Sequence, residues 1–231
     1  MDRRKQLLLS WETNADNWIQ AVRDGLIPSR RAGTDQAIVE AILRRAPKRL
    51  LDVGCGEGWL VRHIAEAAAC MAVGVDASAQ LILAARAADP KNRYEILGYQ
   101  DLIAGSDDLG GGFDVIAFNY ALFDEDAVSL LGAMKHRLSG DGAIVIQSLH
   151  PQAIEQADDE VDGKGEGDAW RIEDFSAFES QGWAPMPWYF RTLDSWRQVV
   201  RDAGLNLREW SEPAAGPGLP ALSLLMVCTA G

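Results

Sequence analysis

Leu50-Leu51-Asp52-Val53-Gly54-Cys55-Gly56-Glu57-Gly58-Trp59-Leu60 is the stretch that decides the fold. A short apolar run, Leu50 to Val53, ends in three glycines at alternate positions, and a helix-like segment follows. The run reads as a strand, and glycines after a strand supply a tight turn and let a ligand approach bare backbone. Amide groups of that turn and of the next helix's first turn then point into the space at the strand's carboxyl end. In an open α/β sheet, that space is where ligands bind.

The spacing narrows the choice of ligand. The dinucleotide fingerprint is G-x-G-x-x-G, whereas this turn is G-x-G-x-G and carries two acids, Asp52 and Glu57. A pyrophosphate at a helix N-terminus wants positive potential. The carboxylates oppose that and suit the cationic amino-acid end of a ligand. Further on, Met71-Ala72-Val73-Gly74-Val75 reads as a second strand ending in Asp76, 22 residues after Gly54. An acid in that place suits ribose hydroxyls, although acids there also cap helices. Ribose without pyrophosphate, joined to an ammonium, describes S-adenosylmethionine.

On LLDVGCGEGWL (50–60), GVDAS (74–78), FDVIAFNYALF (113–123) and AIVIQSLHP (143–151), the sequence resembles the class I S-adenosylmethionine-dependent methyltransferases of the small-molecule type. The resemblance covers residues 35–150 closely, and RTLDSWRQVVRDAGL (191–205) with the strand after it more weakly. A lone glycine triplet is a weak signal, but three motifs in the right order and spacing are a specific one. The resemblance implies an α/β, Rossmann-like fold: a seven-stranded, mostly parallel sheet with a C-terminal antiparallel hairpin and helices on both faces. It implies a cofactor, S-adenosyl-L-methionine, held by Asp52, Gly54, Cys55, Gly56, Gly58, Asp76 and Ala77. Adenine contacts are implied after the third strand, where Gly98 or Tyr99 fills the usual acidic position. Tyr99 and Gln100 are the candidates there, and which residue reads the ring stays open.

Taken in order, the chain alternates helix and strand, which implies parallel crossovers. Trp11, Trp18, Ile19, Val22, Leu26 and Ile27 predict an amphipathic helix within 11–33, either covering the cofactor cleft or packing on the sheet edge. Thr34 is a candidate N-cap for a helix over 35–46. Strands are expected at 49–53, 71–75, 94–97, 113–118 and 143–148, with helices at 58–69, 78–88 and 124–138 between them. Residues 152–168 are acidic and Gly-bearing and read as a mobile loop. Residues 170–196 hold four of the eight tryptophans, and Pro185 and Pro187 forbid a regular helix across them. A helix over 193–203 ends at Gly204, and strands at 205–210 and 222–228 close the chain as a hairpin. The whole reads as one domain: an N-terminal cap (1–33), a cofactor-binding core (34–150), a substrate lid (151–192), and a C-terminal helix and hairpin (193–231).

At 231 residues the chain is long enough to bury a sizeable core. A net charge of −12 opposes general binding to nucleic acid or to anionic membranes. Cys55, Cys70 and Cys228 form no metal-ligand spacing, and no metal is expected. Leu7 to Leu9 is too short an apolar core for a signal peptide or a membrane span, so the reading is a cytoplasmic enzyme.

Several further residues are candidates for the chemistry. Asn119 and Tyr120 end the fourth strand, where the donor methyl meets the acceptor in this family. The Pro-Pro-bearing tetrad of base-methylating relatives is missing there, which counts against nucleobase acceptors. Tyr120 offers a π face to a sulfonium or simply packs. His150 ends the fifth strand, as a base for a hydroxyl acceptor or as a turn-fixing hydrogen bond. Arg31, beside Arg30, is a candidate partner for the cofactor's carboxylate, against a plain solvated pair. Trp18, His150, Trp170, Trp188 and Tyr189 are the candidate substrate contacts, on an acceptor with a ring or apolar portion. The expected function is methyl transfer to oxygen or nitrogen of a small molecule. The rivals are a non-catalytic cofactor-binding or protein-interaction module and a nucleotide-linked oxidoreductase.

Overall fold

Alternation along the strands sets up two cores, one on each side of a single sheet. In the computed structural model, which describes residues 2–158, 167–176, 178 and 182–231, nine strands run β1 Arg49–Val53, β2 Met71–Asp76, β3 Arg93–Ile96, β4 Phe113–Asn119, β5 Leu138–Leu149, β6 Ala169–Glu173, β7 Met186–Phe190, β8 Leu205–Ser211 and β9 Ser223–Ala230. Seven of them form one sheet in the order β3-β2-β1-β4-β5-β9-β8. Pairing is parallel from β3 to β5 and antiparallel for β5–β9 and β9–β8. This is the sheet the motifs implied.

Helices α3 Asp35–Leu43, α4 Trp59–Ala68 and α5 Ala79–Ala88 cover one face, burying Ile38, Ile42, Leu60, Ile64 and Ile82 against Leu50, Val115 and Val145. Helices α6 Tyr99–Ala104, α7 Ala127–Lys135 and α9 Leu193–Asp202 cover the other, where Leu131, Met134 and Val200 meet Leu51, Ile116, Ile144 and Met226. Neighbouring residues of each strand thus feed opposite cores, as a two-residue period requires.

Over the carboxyl ends of the parallel strands lies a third cluster, built from Leu7, Phe123, Phe175, Met186, Trp188 and Phe190. Its roof consists of α1 Arg3–Thr13 and α2 Ala15–Arg23, together with the antiparallel pair β6–β7. Sequence reasoning expected one helix within 11–33. The chain forms two, starting at Arg3, and breaks them at buried Asn14. The Asn14 amide donates to the Ala184 carbonyl (2.8 Å) and accepts from the Ala184 amide (2.7 Å), which fastens the break to the segment before β7.

Other expectations change locally. Thr34 makes no capping bond; it ends a π-helical stretch, Arg30–Thr34, and its hydroxyl donates to the Ser29 carbonyl at 3.1 Å. Helix α7 starts at Ala127 rather than 124, because Asp126 is its N-cap and accepts from the Ser129 amide. The expected loop over 152–168 opens instead as a helix, α8 Pro151–Asp158, with proline in the first turn where its missing N–H costs nothing. Residues 159–166 of that expected loop lie outside the described residues. Pro185 and Pro187 do exclude a helix, and β7 forms there, with Pro187 opposite Ile172. Proline is tolerated in a strand at the sheet edge.

Candidate functional site

The turn after β1 approaches its neighbours too closely for side chains. Gly54 has φ of +75°, and a Cβ there would stand 2.6 Å from that of Ala121. Gly56, at φ +56°, faces open space. The amides of Gly54 and Cys55 donate to the Val75 carbonyl (2.8 and 3.0 Å), so the turn is tied to the end of β2. The next amide, of Gly56, donates to Asp76 Oδ2 at 2.9 Å, and the Ser78 amide donates to Oδ1 at 2.9 Å. Ser78, not Asp76, caps α5 through its own hydroxyl. That removes the capping role as the reason for an acid at 76. Burial raises the Asp76 pKa, and each of its oxygens keeps a lone pair for a further donor.

A cavity of about 320 Å³ opens beside this turn, walled at one end by Gly54, Cys55, Gly56, Asp76, Ala77 and Tyr99. Asn119 and Tyr120 stand on its wall as well. Asn119 accepts at Oδ1 from Gln147 Nε2 (3.1 Å). Tyr120 holds φ of +52°, a conformation rare for a bulky residue. Its hydroxyl is buried between Thr34 and Ser223, without a well-aligned hydrogen bond among the described residues. Tyr99 donates its hydroxyl proton to the Ala121 carbonyl, joining α6 to the segment after β4.

Two acids of the turn behave differently. Glu57 is buried and gripped by Arg62 (2.7 Å) and by Arg23 of α2 (3.0 Å). Asp52 is buried on β1 with Oδ1 unpartnered among the described residues. Desolvation, followed by the charge of Asp76, pushes its pKa up to about 8.

The other end of the cavity is aromatic. Trp18 and Trp188, two of the expected acceptor contacts, are on its wall. Trp170 and Tyr189 are not: they pair with each other across β6–β7, ring centroids 5.6 Å apart, on the opposite side of that ribbon. Other candidates are off the wall too, among them Asp52 and Gly58, where a Cβ would stand 2.7 Å from the Tyr94 ring. Gln100 is exposed on α6 and off the wall, as is Arg31. Arg30 lines the cavity instead, paired with Asp35 at 2.8 Å and lying 4.4 Å over the Trp59 ring. His150 is fully buried away from the cavity, with Nε2 3.6 Å from Glu212. The chain turns into α8 right after β5, and the imidazole goes under the C-terminal hairpin rather than into the cleft.

Leu7, Phe123 and Glu173 line the cavity without having been singled out in the sequence, and Trp11 and Phe175, read there only as parts of the cap helix and of the aromatic 170–196 stretch, line it too. A signal for Leu7 existed, because it stands one helical turn before Trp11. Nothing local marks Glu173. Its place on the wall follows from its register opposite Met186.

Comparison with known proteins gives one pattern. A family model described as "Methyltransferase domain" matches residues 30–209. No curated protein matches the chain. Among solved structures, magnesium protoporphyrin IX methyltransferase from Synechocystis, with bound SAH, is similar at a TM-score of 0.66 and 12% identity, covering 100% of both chains. An S-adenosylmethionine dependent methyltransferase from Mesorhizobium loti has a TM-score of 0.60 and 18% identity, covering 85% of this chain and 97% of its own. The 1,6-didemethyltoxoflavin-N1-methyltransferase of Burkholderia thailandensis, solved with 1,6-didemethyltoxoflavin and S-adenosylhomocysteine, has a TM-score of 0.60 and 16% identity, covering 94% of this chain and 87% of its own.

Proposed function

The chain belongs to the methyltransferase-domain family, and from that premise we propose that it transfers a methyl group from S-adenosylmethionine to oxygen or nitrogen of a small, partly apolar acceptor. One observation carries the reading: a single cavity has the glycine turn with Asp76 at one end and an aromatic chamber at the other. A donor and an acceptor bound there would meet near Asn119 and Tyr120. The volume of about 320 Å³ and the net charge of −12 favour a small molecule over a nucleic acid. Three free cysteines suit a reducing, cytoplasmic setting. No helix among the described residues is long and apolar enough to cross a membrane.

The residues fit the cofactor. Asp76 would accept from the ribose hydroxyls with its free lone pairs, Ala77 and Tyr99 would flank the adenine, and the open side of Gly56 would admit the amino-acid portion. Unpartnered Asp52 behind the turn would complement the ammonium, and Arg30 stands within the cavity as a partner for the carboxylate. When bound, S-adenosylmethionine supplies a methyl group already activated for displacement. The protein's part is orientation and dryness. Holding the reacting atoms in line lowers a barrier by about 7–11 kcal/mol, and the roof of α1, α2 and β6–β7 would shield them from water. No histidine of the described residues lines the cavity, which favours an acceptor that needs no strong base.

Calorimetry with S-adenosylhomocysteine, followed by turnover on a panel of amines, phenols and alcohols, tests the reading. Expected are micromolar binding, about −8 kcal/mol, and release of S-adenosylhomocysteine with a panel member. No cofactor binding would overturn it.

A further inference from the structure

We propose that Glu173 and the ring walls around it select an acceptor that carries a cationic amine on an apolar body. The inference rests on reading the cavity as a cofactor half and an acceptor half, and it names the chemistry the second half recognises.

The acceptor half is walled by Trp11, Trp18, Phe123, Phe175, Phe178 and Trp188. These rings pack on one another: Trp11 stacks on Trp18 at 5.3 Å, Trp18 meets Phe175 edge-on at 5.7 Å, and Phe123 meets Trp188 edge-on at 6.1 Å. A chamber built this way holds its shape and offers the negative faces of several rings.

Glu173 ends β6 and projects onto this wall. Among the described residues it is the single formally charged side chain there. The others on the cavity, Arg30, Glu57 and Asp76, stand around the glycine turn, and each is already partnered: Arg30 by Asp35, Glu57 by two arginines, Asp76 by two backbone amides. Glu173 accepts one bond, at Oε1 from the Phe175 amide (2.8 Å). That bond fixes the carboxylate without neutralising it.

Glu173 is half-buried, and its carboxylate keeps lone pairs open to a further donor in the chamber. An ammonium entering the chamber would gain twice, from the charge-assisted hydrogen bond to Glu173 and from the ring faces. An anion would be opposed by both, and a neutral molecule of the same shape would gain neither. The inference concerns recognition and holds whichever atom takes the methyl.

The test uses the full-length protein saturated with S-adenosylhomocysteine and follows the quenching of tryptophan fluorescence by three probes of one shape: phenethylamine, phenethyl alcohol and 3-phenylpropionate. The amine should bind about tenfold or more tighter than the alcohol, with the carboxylate weakest. Glu173→Gln keeps an oxygen for the Phe175 amide, so it should melt like wild type and bind S-adenosylhomocysteine unchanged. It should nevertheless bring amine and alcohol to within about threefold of each other. Equal binding of amine and alcohol, a preference for the carboxylate, absence of amine binding, or an amine preference that survives Glu173→Gln would each overturn the inference alone. Failure of S-adenosylhomocysteine to bind would take the proposed function down with it.

Discussion

Arg23 on helix α2 donates to the buried carboxylate of Glu57 at 3.0 Å, so a helix that roofs the cavity is bonded to the glycine turn that forms its floor. Arg62 holds the same carboxylate from α4. Removing Arg23 therefore leaves Glu57 paired, and the Arg23 side chain is itself 43% exposed. Arg23→Ala should cost less than about 1 kcal/mol of stability, yet speed cofactor dissociation several-fold by loosening the roof. Stopped-flow release of S-adenosylhomocysteine checks this; an unchanged off-rate would mean that α2 does not gate the cavity.

Asp52 predicts a pH dependence with a definite sign. Its pKa is raised to about 8 in the folded protein by burial and by Asp76, above the ordinary value of about 3.9 in an unfolded chain. The folded state then binds more protons between those values, so this group's contribution to stability falls as pH rises from about 4 to about 8. Asp52→Asn should flatten that fall and raise the melting temperature at pH 8. Cofactor affinity should move the other way: wild type should bind more tightly as pH passes upward through about 8, because the carboxylate form meets the ammonium, and the variant should lose that rise. Calorimetry at several pH values reads both.

Asp76→Ala should weaken S-adenosylhomocysteine binding by about 1.5–3 kcal/mol, roughly 10- to 150-fold, through lost charge-assisted hydrogen bonds. The variant also releases the Gly56 and Ser78 amides. Asp76→Asn is the companion, since it keeps an acceptor for one of them. An affinity unchanged in both would remove Asp76 from the cofactor site.

Neighbouring aromatic residues should behave oppositely. Trp188 is on the cavity wall, whereas Trp170 is on the far side of the β6–β7 ribbon with its indole donating to Glu125 at 3.1 Å. Trp188→Phe should raise the acceptor KM several-fold with cofactor affinity unchanged, and Trp170→Phe should leave both alone. Equal effects on KM would show that the ribbon's register does not decide acceptor contact.

His150→Gln should leave the pH profile of kcat unaltered, because the imidazole stands beside Glu212 and away from the cavity. A profile that loses a limb near neutral pH would restore His150 as a base acting in a rearranged cleft.

Much of the fold was legible because it is written locally. Short, nearly continuous apolar runs in β1, β4 and β5 mark strands buried on both faces, and the glycines at 54, 56 and 58 announce the turn that follows the first of them. The order of those signals along the chain implied the parallel crossovers, and hence the end of the sheet at which a ligand site sits. What the sequence could not determine is the direction of side chains whose surroundings come from far away. Arg30 and Arg31 are equivalent in composition, but one step along the π-helical stretch puts one in the cavity and the other in solvent. Trp188 and Tyr189 differ by one strand position, and the pairing of β6 with β7 decides which of them faces the chamber. His150 and Glu173 differ in their access to the cavity for the same reason: the hairpin that buries one and the β6–β7 ribbon that presents the other form by pairing separate segments, through contacts no local pattern records.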